Sequence, residues 1–255
     1  MRSLLAAFQF LTIIPLFQSR GGVDGREIGQ STAYFPVVGA LQGGIVTGSA
    51  FLFSHFFSWE VVSALSRIII VLTNGGFHLD GFADTVDGLA GGKTREERLR
   101  IMKDPRTGAI GVVALVLILL LQFLLIKHLP PSIRYGALFL LPVVSRWSMV
   151  PMAYWGCYAR EESGLGKVFT DHTGTVQFIV ASTLTTLALG VLLGIPAIAV
   201  LVPLTLTTYL WVSFFRRRLG GVTGDVFGFQ SELSGVLFLL LMIAGLNAGL
   251  LPFRW

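Results

Sequence analysis

Residues 109–126 run for eighteen positions with one polar side chain, Gln122. As an α-helix such a run is roughly 27 Å long at about 1.5 Å per residue. That nearly matches the roughly 30 Å hydrocarbon core of a bilayer. Inside lipid every backbone N–H and C=O must be paired within the protein, so an apolar run of this length is committed to a helix. The composition extends the conclusion to the whole chain. Over 255 residues, 53% are hydrophobic and 13% charged, about half the charge of an average soluble domain. These features predict an all-α, polytopic integral membrane helix bundle. They exclude a soluble enzyme, a disulfide scaffold and a disordered chain.

Seven spans are expected, at roughly 33–54, 59–77, 109–127, 134–154, 174–193, 194–213 and 233–252. Breakers mark the joints, such as Pro130-Pro131 and Gly194-Ile195-Pro196. The chain reads as one integral membrane domain over 1–255, with residues 1–30 as an interfacial segment interrupted by Pro15. Ala40, Gly44 and Gly48 recur every fourth residue, a spacing that puts three small side chains on one helix face for close helix approach. The single cysteine, Cys157, sits among aromatic residues and reads as a small packing residue.

Charge sets the orientation. The segments 88–107, 160–167 and 216–225 carry most of the basic residues, while Ser54–Trp59 and Gly194–Pro196 carry none. With seven spans the three charged loops fall on one side together with the N-terminus, and the positive-inside rule assigns that side to the cytoplasm. The net charge of +5 therefore reflects topology and not nucleic-acid binding. Nearly all the acids gather in the same loops. A bundle whose polar chemistry collects on its cytoplasmic face suits an enzyme there better than a transporter, whose acids more often lie at the membrane midplane. Arg67 and Arg146 are the ionisable groups expected well inside spans, where charge is functional by default.

The sharpest local feature is the segment His78–Gly88. Asp80, Asp84 and Asp87 are spaced by four and three, so in a helix all three carboxylates share one face. Like charges at that spacing destabilise a helix, and a divalent cation would offset them. An oxygen-only set favours Mg²⁺ or Mn²⁺, and Mg²⁺ is commonly held by one or two carboxylates together with substrate phosphates. His78 is either a ligand, an acid/base group or a structural residue. Gly81 and Gly88 weaken a helix and suggest close backbone approach to a ligand.

Downstream, Lys103-Asp104-Pro105-Arg106 supplies cations, and Arg can hold a phosphate with two donors. The third charged loop, Arg216-Arg217-Arg218-Leu219-Gly220-Gly221-Val222-Thr223-Gly224-Asp225, suggests a flexible phosphate- or nucleotide-binding turn followed by a metal-binding acid. Carboxylates suited to Mg²⁺, cationic clamps and a membrane bundle together point to displacement at a diphosphate.

Five ordered strings carry a resemblance. His78-Leu-Asp-Gly-Phe-Ala-Asp-Thr-Val-Asp-Gly88, Ile101-Met-Lys-Asp-Pro-Arg-Thr-Gly108, Ser145-Arg-Trp147, Ala159-Arg-Glu-Glu-Ser-Gly-Leu-Gly166 and Leu219-Gly-Gly-Val-Thr-Gly-Asp225 with Glu232 closely resemble the cobalamin synthase family of adenosylcobinamide-GDP ribazoletransferases. The resemblance implies a multi-pass, Mg²⁺-dependent enzyme of the inner membrane. It would join adenosylcobinamide-GDP to α-ribazole or its 5′-phosphate and release GMP. On that resemblance Asp80, Asp84 and Asp87 bind metal, and one of them or His78 is the base. Lys103, Asp104, Arg106, Arg146, Arg160, Arg218 and Thr223 are candidates for substrate contacts, with Asp225 and Glu232 for a second metal or the guanosine side. The implied partners are these small molecules and the lipid bilayer, with homo-oligomerisation left open. Two rivals stand beside it, a CDP-alcohol phosphotransferase and a cation-coupled transporter. The first requires two further aspartates at four-residue spacing that this sequence lacks.

Overall fold

The computed structural model describes residues 2–14, 24–162 and 164–249. The break expected at Pro15, Ser163 and the end of the last expected span lie outside the described residues. What is described is helical, and the single β-contact is an isolated parallel bridge between Tyr158 and Val222.

The chain opens with α1 (Arg2–Leu11), too short to cross a membrane. It buries Ala6, Ala7, Phe8 and Leu11 against α2 (Gly25–Gln30) and the 3-10 turn Ser31–Tyr34. The first long helix, α3 (Phe35–Phe53), starts on a proline in its first turn, where the missing N–H costs nothing. Then come α4 (Trp59–Asn74), α5 (Phe77–Gly91), α6 (Arg95–Ile101), α7 (Ala109–Lys127), α8 (Arg134–Trp155), α9 (Leu165–His172), α10 (Thr175–Leu193), α11 (Ala197–Leu219) and α12 (Gly224–Asn247). Six of the described helical stretches are long and apolar enough to cross a membrane. α4 and α5 pass that test only as a pair bent by 90°. Counted as one span, the pair brings the total to the expected seven.

The bend is built by Gly75 and Gly76, both with left-handed backbone (φ 67° and 76°). Side chains other than glycine avoid that region. The second span is therefore not a continuous helix over 59–77. It stops at Asn74, and the Asp-bearing helix turns across the bundle instead of continuing through it. The last helix also starts earlier than expected. Thr223 caps it, its hydroxyl accepting from the Val226 N–H at 3.4 Å, so Asp225 and Glu232 belong to a long helix. The expected Gly-rich turn is present at Gly220-Gly221, with φ of 79° and 158°, and it is tied down by the Tyr158–Val222 bridge, with Ala159 N–H donating to Val222 C=O at 2.9 Å.

The centre of the bundle is α8, packed most extensively by α3 and α12. Its side chains from Leu140 to Ala153 are all buried. The small-residue contact of α3 lies on a different face from the expected one. Gly44 and Gly48 have open space beside them, whereas a Cβ on Gly39 would stand 2.6 Å from the Pro142 carbonyl oxygen. Gly39 and Gly43 thus make the close approach to α8, and the stripe Ala40-Gly44-Gly48 faces outward. The expectation for Cys157 also changes. It lies beyond the end of α8 and is exposed, its Sγ 3.5 Å from the Gly220 carbonyl oxygen.

Candidate active site

The site is organised by the crossing of α5 and α12. A Cβ on Gly81 would lie 2.7 Å from the Asp225 carbonyl oxygen, and one on Gly228 would lie 2.8 Å from the His78 carbonyl oxygen. Glycine on each helix lets the two backbones meet, so the close approach inferred at Gly81 is to a neighbouring helix and not to a ligand. Gly88 serves likewise against Met102 and the Arg98 carbonyl.

This crossing delivers Asp225 to the carboxylates of α5. Asp84 is half-buried, and the charges of Asp80, Asp225 and Asp87 all act on it, opposed by Arg160. Arg160 donates to the Asp225 carboxylate at 2.8 Å, and the Thr223 hydroxyl donates to the same carboxylate at 3.1 Å. Four carboxylates and one arginine at a helix crossing leave excess negative charge on that face. Asp80 is the exposed member of the group.

Asp87 has a second duty. Its two oxygens accept the backbone N–H groups of Gly108 and Gly111, each at 2.7 Å. Those are orphan donors at the start of α7, where a carboxylate is favoured both by hydrogen bonding and by the helix dipole. Glu232 stands apart from the cluster. It accepts from Arg67 at 2.7 Å and from Gln122 at 2.9 Å, both buried inside the bundle. Arg146, also buried, donates to Gln42 at 3.0 Å and Ser231 at 2.8 Å. His78 is buried near Arg146 and Arg67, and its Nδ1 has no partner among the described residues. His78, Arg146 and Glu232 are therefore all buried inside the bundle, where Glu232 and Arg146 hold separate sets of hydrogen-bond partners and His78 lies within reach of the charges of Arg146 and Arg67.

The remaining predicted contacts divide in two. Lys103 pairs with Glu162 at the rim of a cleft of about 450 Å³, and the ammonium holds that glutamate below the usual carboxylate range. Arg160 lines the same cleft. Arg106 is exposed and clamped within its own loop by Asp104, at 3.0 and 2.8 Å. The Arg106 side chain, with help from its backbone N–H, holds the Asp104 carboxyl down to about 2. Arg218 is exposed with its guanidinium 5.8 Å over the Phe214 ring, and does not line the cleft. Sequence reasoning passed over Arg95, Glu96 and Arg100 of this cleft, which read as a basic loop, and the Gln42 and Gln122 partners of the interior charges. A lone glutamine in an eighteen-residue apolar run was the one available signal for the latter.

A divalent cation suits the acidic face in one specific way. Its donors are carboxylate oxygens, the chemistry Mg²⁺ takes. Among the described residues no three acids, histidines or cysteines already surround one point at ligating range. The residues thus offer the donor chemistry of such a cation without forming, among the described ones, an all-protein cage.

Known proteins match almost the whole chain. Adenosylcobinamide-GDP ribazoletransferase of Geotalea daltonii is 37% identical over 96% of this chain and 98% of its own length. The proteins of the same name from Desulforamulus reducens and Acetivibrio thermocellus are 35% and 33% identical over 94% of this chain, covering 96% and 97% of their own. No solved structure matches the chain. With the family profile matching residues 3–243, nearly the whole bundle from α1 to α12, the chain belongs to the cobalamin-5-phosphate synthase family.

Proposed function

We propose that this protein is a membrane-embedded transferase that joins adenosylcobinamide-GDP to α-ribazole or its 5′-phosphate, with release of GMP. The observation that carries the reading is the acidic face at the α5–α12 crossing, where Asp80, Asp84 and Asp225 act on one another beside Arg160. The names of the full-length relatives supply the substrates. The charged end of the bundle, bearing α6 and Arg160, faces the cytoplasm of the cell, consistent with its excess of basic residues. The membrane concerned is the inner one.

In the reaction a ribazole hydroxyl oxygen forms a bond to the phosphorus nearer cobinamide. The bond from that phosphorus to the bridging oxygen breaks, and GMP leaves with the electron pair. The hydroxyl proton passes to a carboxylate, for which Asp84 is the best placed, being half-buried among the others. Asp80, Asp84 and Asp225 are the residues that would hold Mg²⁺ with the diphosphate. When bound, the cation supplies neutralisation of the leaving phosphate. Arg160 adds a fixed cation on the same face and keeps Asp225 in place. On this reading the chemistry takes place at the membrane edge, within reach of water-soluble nucleotide, and the bend at Gly75-Gly76 that turns α5 away from α4 supports it.

The test is GMP release by detergent-purified protein given adenosylcobinamide-GDP, α-ribazole and Mg²⁺, with and without EDTA. Release requiring both substrates and stopped by EDTA is expected. Asp84→Asn should reduce it by at least about 10²-fold, the scale of a lost acid/base group, with membrane insertion intact. Full turnover in that variant would remove Asp84 from the reaction.

A further inference from the structure

The cleft beside the acidic face has a composition that the reaction alone does not explain. Four cations line it, Arg95, Arg100, Lys103 and Arg160. They do different things. Arg95 is committed to the fold, donating to the Leu219 and Ala159 carbonyls at 2.8 and 2.7 Å. Arg160 faces Asp225 and so joins the cleft to the acidic face. Lys103 is paired with Glu162, while Arg100 is exposed and, among the described residues, interacts only through its charge with Glu97 of its own helix. Cations alone would mark a phosphate site. This lining also holds Glu96 and Glu161, two exposed carboxylates with no partner among the described residues. Carboxylates repel phosphate, so an anion site has no use for them.

Guanine has a use for such a group. Its Watson–Crick edge presents two parallel donors, N1–H and the 2-amino group, and a carboxylate accepts both at once in the fork geometry that makes paired charge-assisted hydrogen bonds strong. Adenine offers an acceptor at N1 and repels a carboxylate there. Leu99, half-buried at the cleft wall, adds apolar surface for a base to lie against. The volume, about 450 Å³, lies within the roughly 300–1,000 Å³ of small-molecule sites.

We infer that this cleft is the guanosine subsite, with Glu96 or Glu161 reading the guanine edge and Arg100 and Lys103 facing the phosphates. The inference rests on the reading of the protein as a transferase that releases GMP, and adds where the nucleotide sits and what selects its base. Ligand binding would draw Lys103 from Glu162 toward phosphate.

The experiment measures binding of GDP, IDP and ADP to the detergent-purified full chain, alongside turnover of adenosylcobinamide-GDP. Inosine keeps N1–H and lacks the 2-amino group, so wild type should bind GDP roughly tenfold or more tightly than IDP, the discrimination expected of one bidentate base contact, and ADP more weakly still. The double variant Glu96→Gln/Glu161→Gln should bring GDP and IDP to within about threefold. The two single variants then show which glutamate is responsible. Both positions are exposed, so folding is retained, and thermal unfolding checks that. A double variant that keeps the full GDP preference overturns the inference while wild-type turnover still upholds the transferase. Wild type that turns over yet binds all three nucleotides equally overturns it as well. Absence of wild-type turnover counts against the transferase reading itself, and the assignment of the cleft as its guanosine subsite falls with it.

Discussion

Arg67 on α4 and Glu232 on α12 meet at 2.7 Å inside the bundle, far apart in sequence and with side chains only 9% and 4% exposed. Gln122 of α7 donates to the same carboxylate at 2.9 Å, so one ion pair ties three helices together. Breaking a buried pair leaves a charge with no counterion, at a cost of about 3–5 kcal/mol. Glu232→Gln should therefore lower the midpoint of thermal unfolding in detergent markedly. Replacing both partners with apolar residues, Arg67→Met with Glu232→Leu, should be less harmful than either single change. If the single variant unfolds like wild type, the pair is not what holds these helices.

Asp87 is the member of the aspartate triad whose duty is visible in the fold. Its carboxylate takes the two backbone donors at the start of α7, a contact of the kind worth about 1–2 kcal/mol. Asp87→Asn keeps one acceptor and loses the charge. Its unfolding midpoint should fall while GMP release stays above that of Asp84→Asn. An Asp87→Asn protein as stable as wild type but inactive would show that the carboxylate acts on the substrate or its cation.

The crossing at Gly81 and Gly228 makes a third expectation. A methyl group at Gly228 would meet the His78 carbonyl oxygen at 2.8 Å, and the opposing atom is backbone that cannot swing aside. Overpacking of this kind typically costs about 1–3 kcal/mol, and here it also pushes Asp225 away from Asp84. Gly228→Ala should lose turnover by roughly tenfold or more even at temperatures where the protein stays folded. Gly44→Ala is the control, because Gly44 has open space beside it. Turnover lost equally in both would mean that the loss owes nothing to the crossing.

Much of this architecture was legible in the sequence, for reasons that differ by element. Residues 109–126 could be read directly because lipid leaves an apolar run no other structure. The aspartate face followed from helical spacing alone. What stayed hidden was decided between elements distant in the chain. Nothing near Glu232 announces Arg67, so the residue read as a loop acid. The bend after Asn74 rests on two glycines whose left-handed backbone is invisible until the helices on either side are placed. The stripe Ala40-Gly44-Gly48 has the right spacing but the wrong face, because neighbouring Gly39 and Gly43 match the carbonyls of α8 more closely. Family resemblance identified positions across the whole length. It did not separate the carboxylates that gather at the crossing from those, such as Asp87 and Glu232, that also hold helices together.

Arg160 and Asp225 supply the last prediction. Their 2.8 Å contact joins the nucleotide cleft to the acidic face, with the side chains 16% and 23% exposed. Two roles are combined in one arginine. It fixes the Asp225 carboxylate, and it lines the cleft where diphosphate would lie. If both roles operate, Arg160→Ala and Asp225→Ala should each reduce turnover, yet the double variant should fall short of the product of the two losses. Residues sharing one contact typically couple by about 0.5–3 kcal/mol, so the shortfall should be measurable as a few-fold to about a hundredfold. Arg160→Lys keeps charge and loses the forked geometry. It should therefore raise KM for adenosylcobinamide-GDP more than it lowers kcat. Fully multiplicative losses would mean that the two residues act independently, and that Asp225 reaches its place through the Gly81–Gly228 crossing alone.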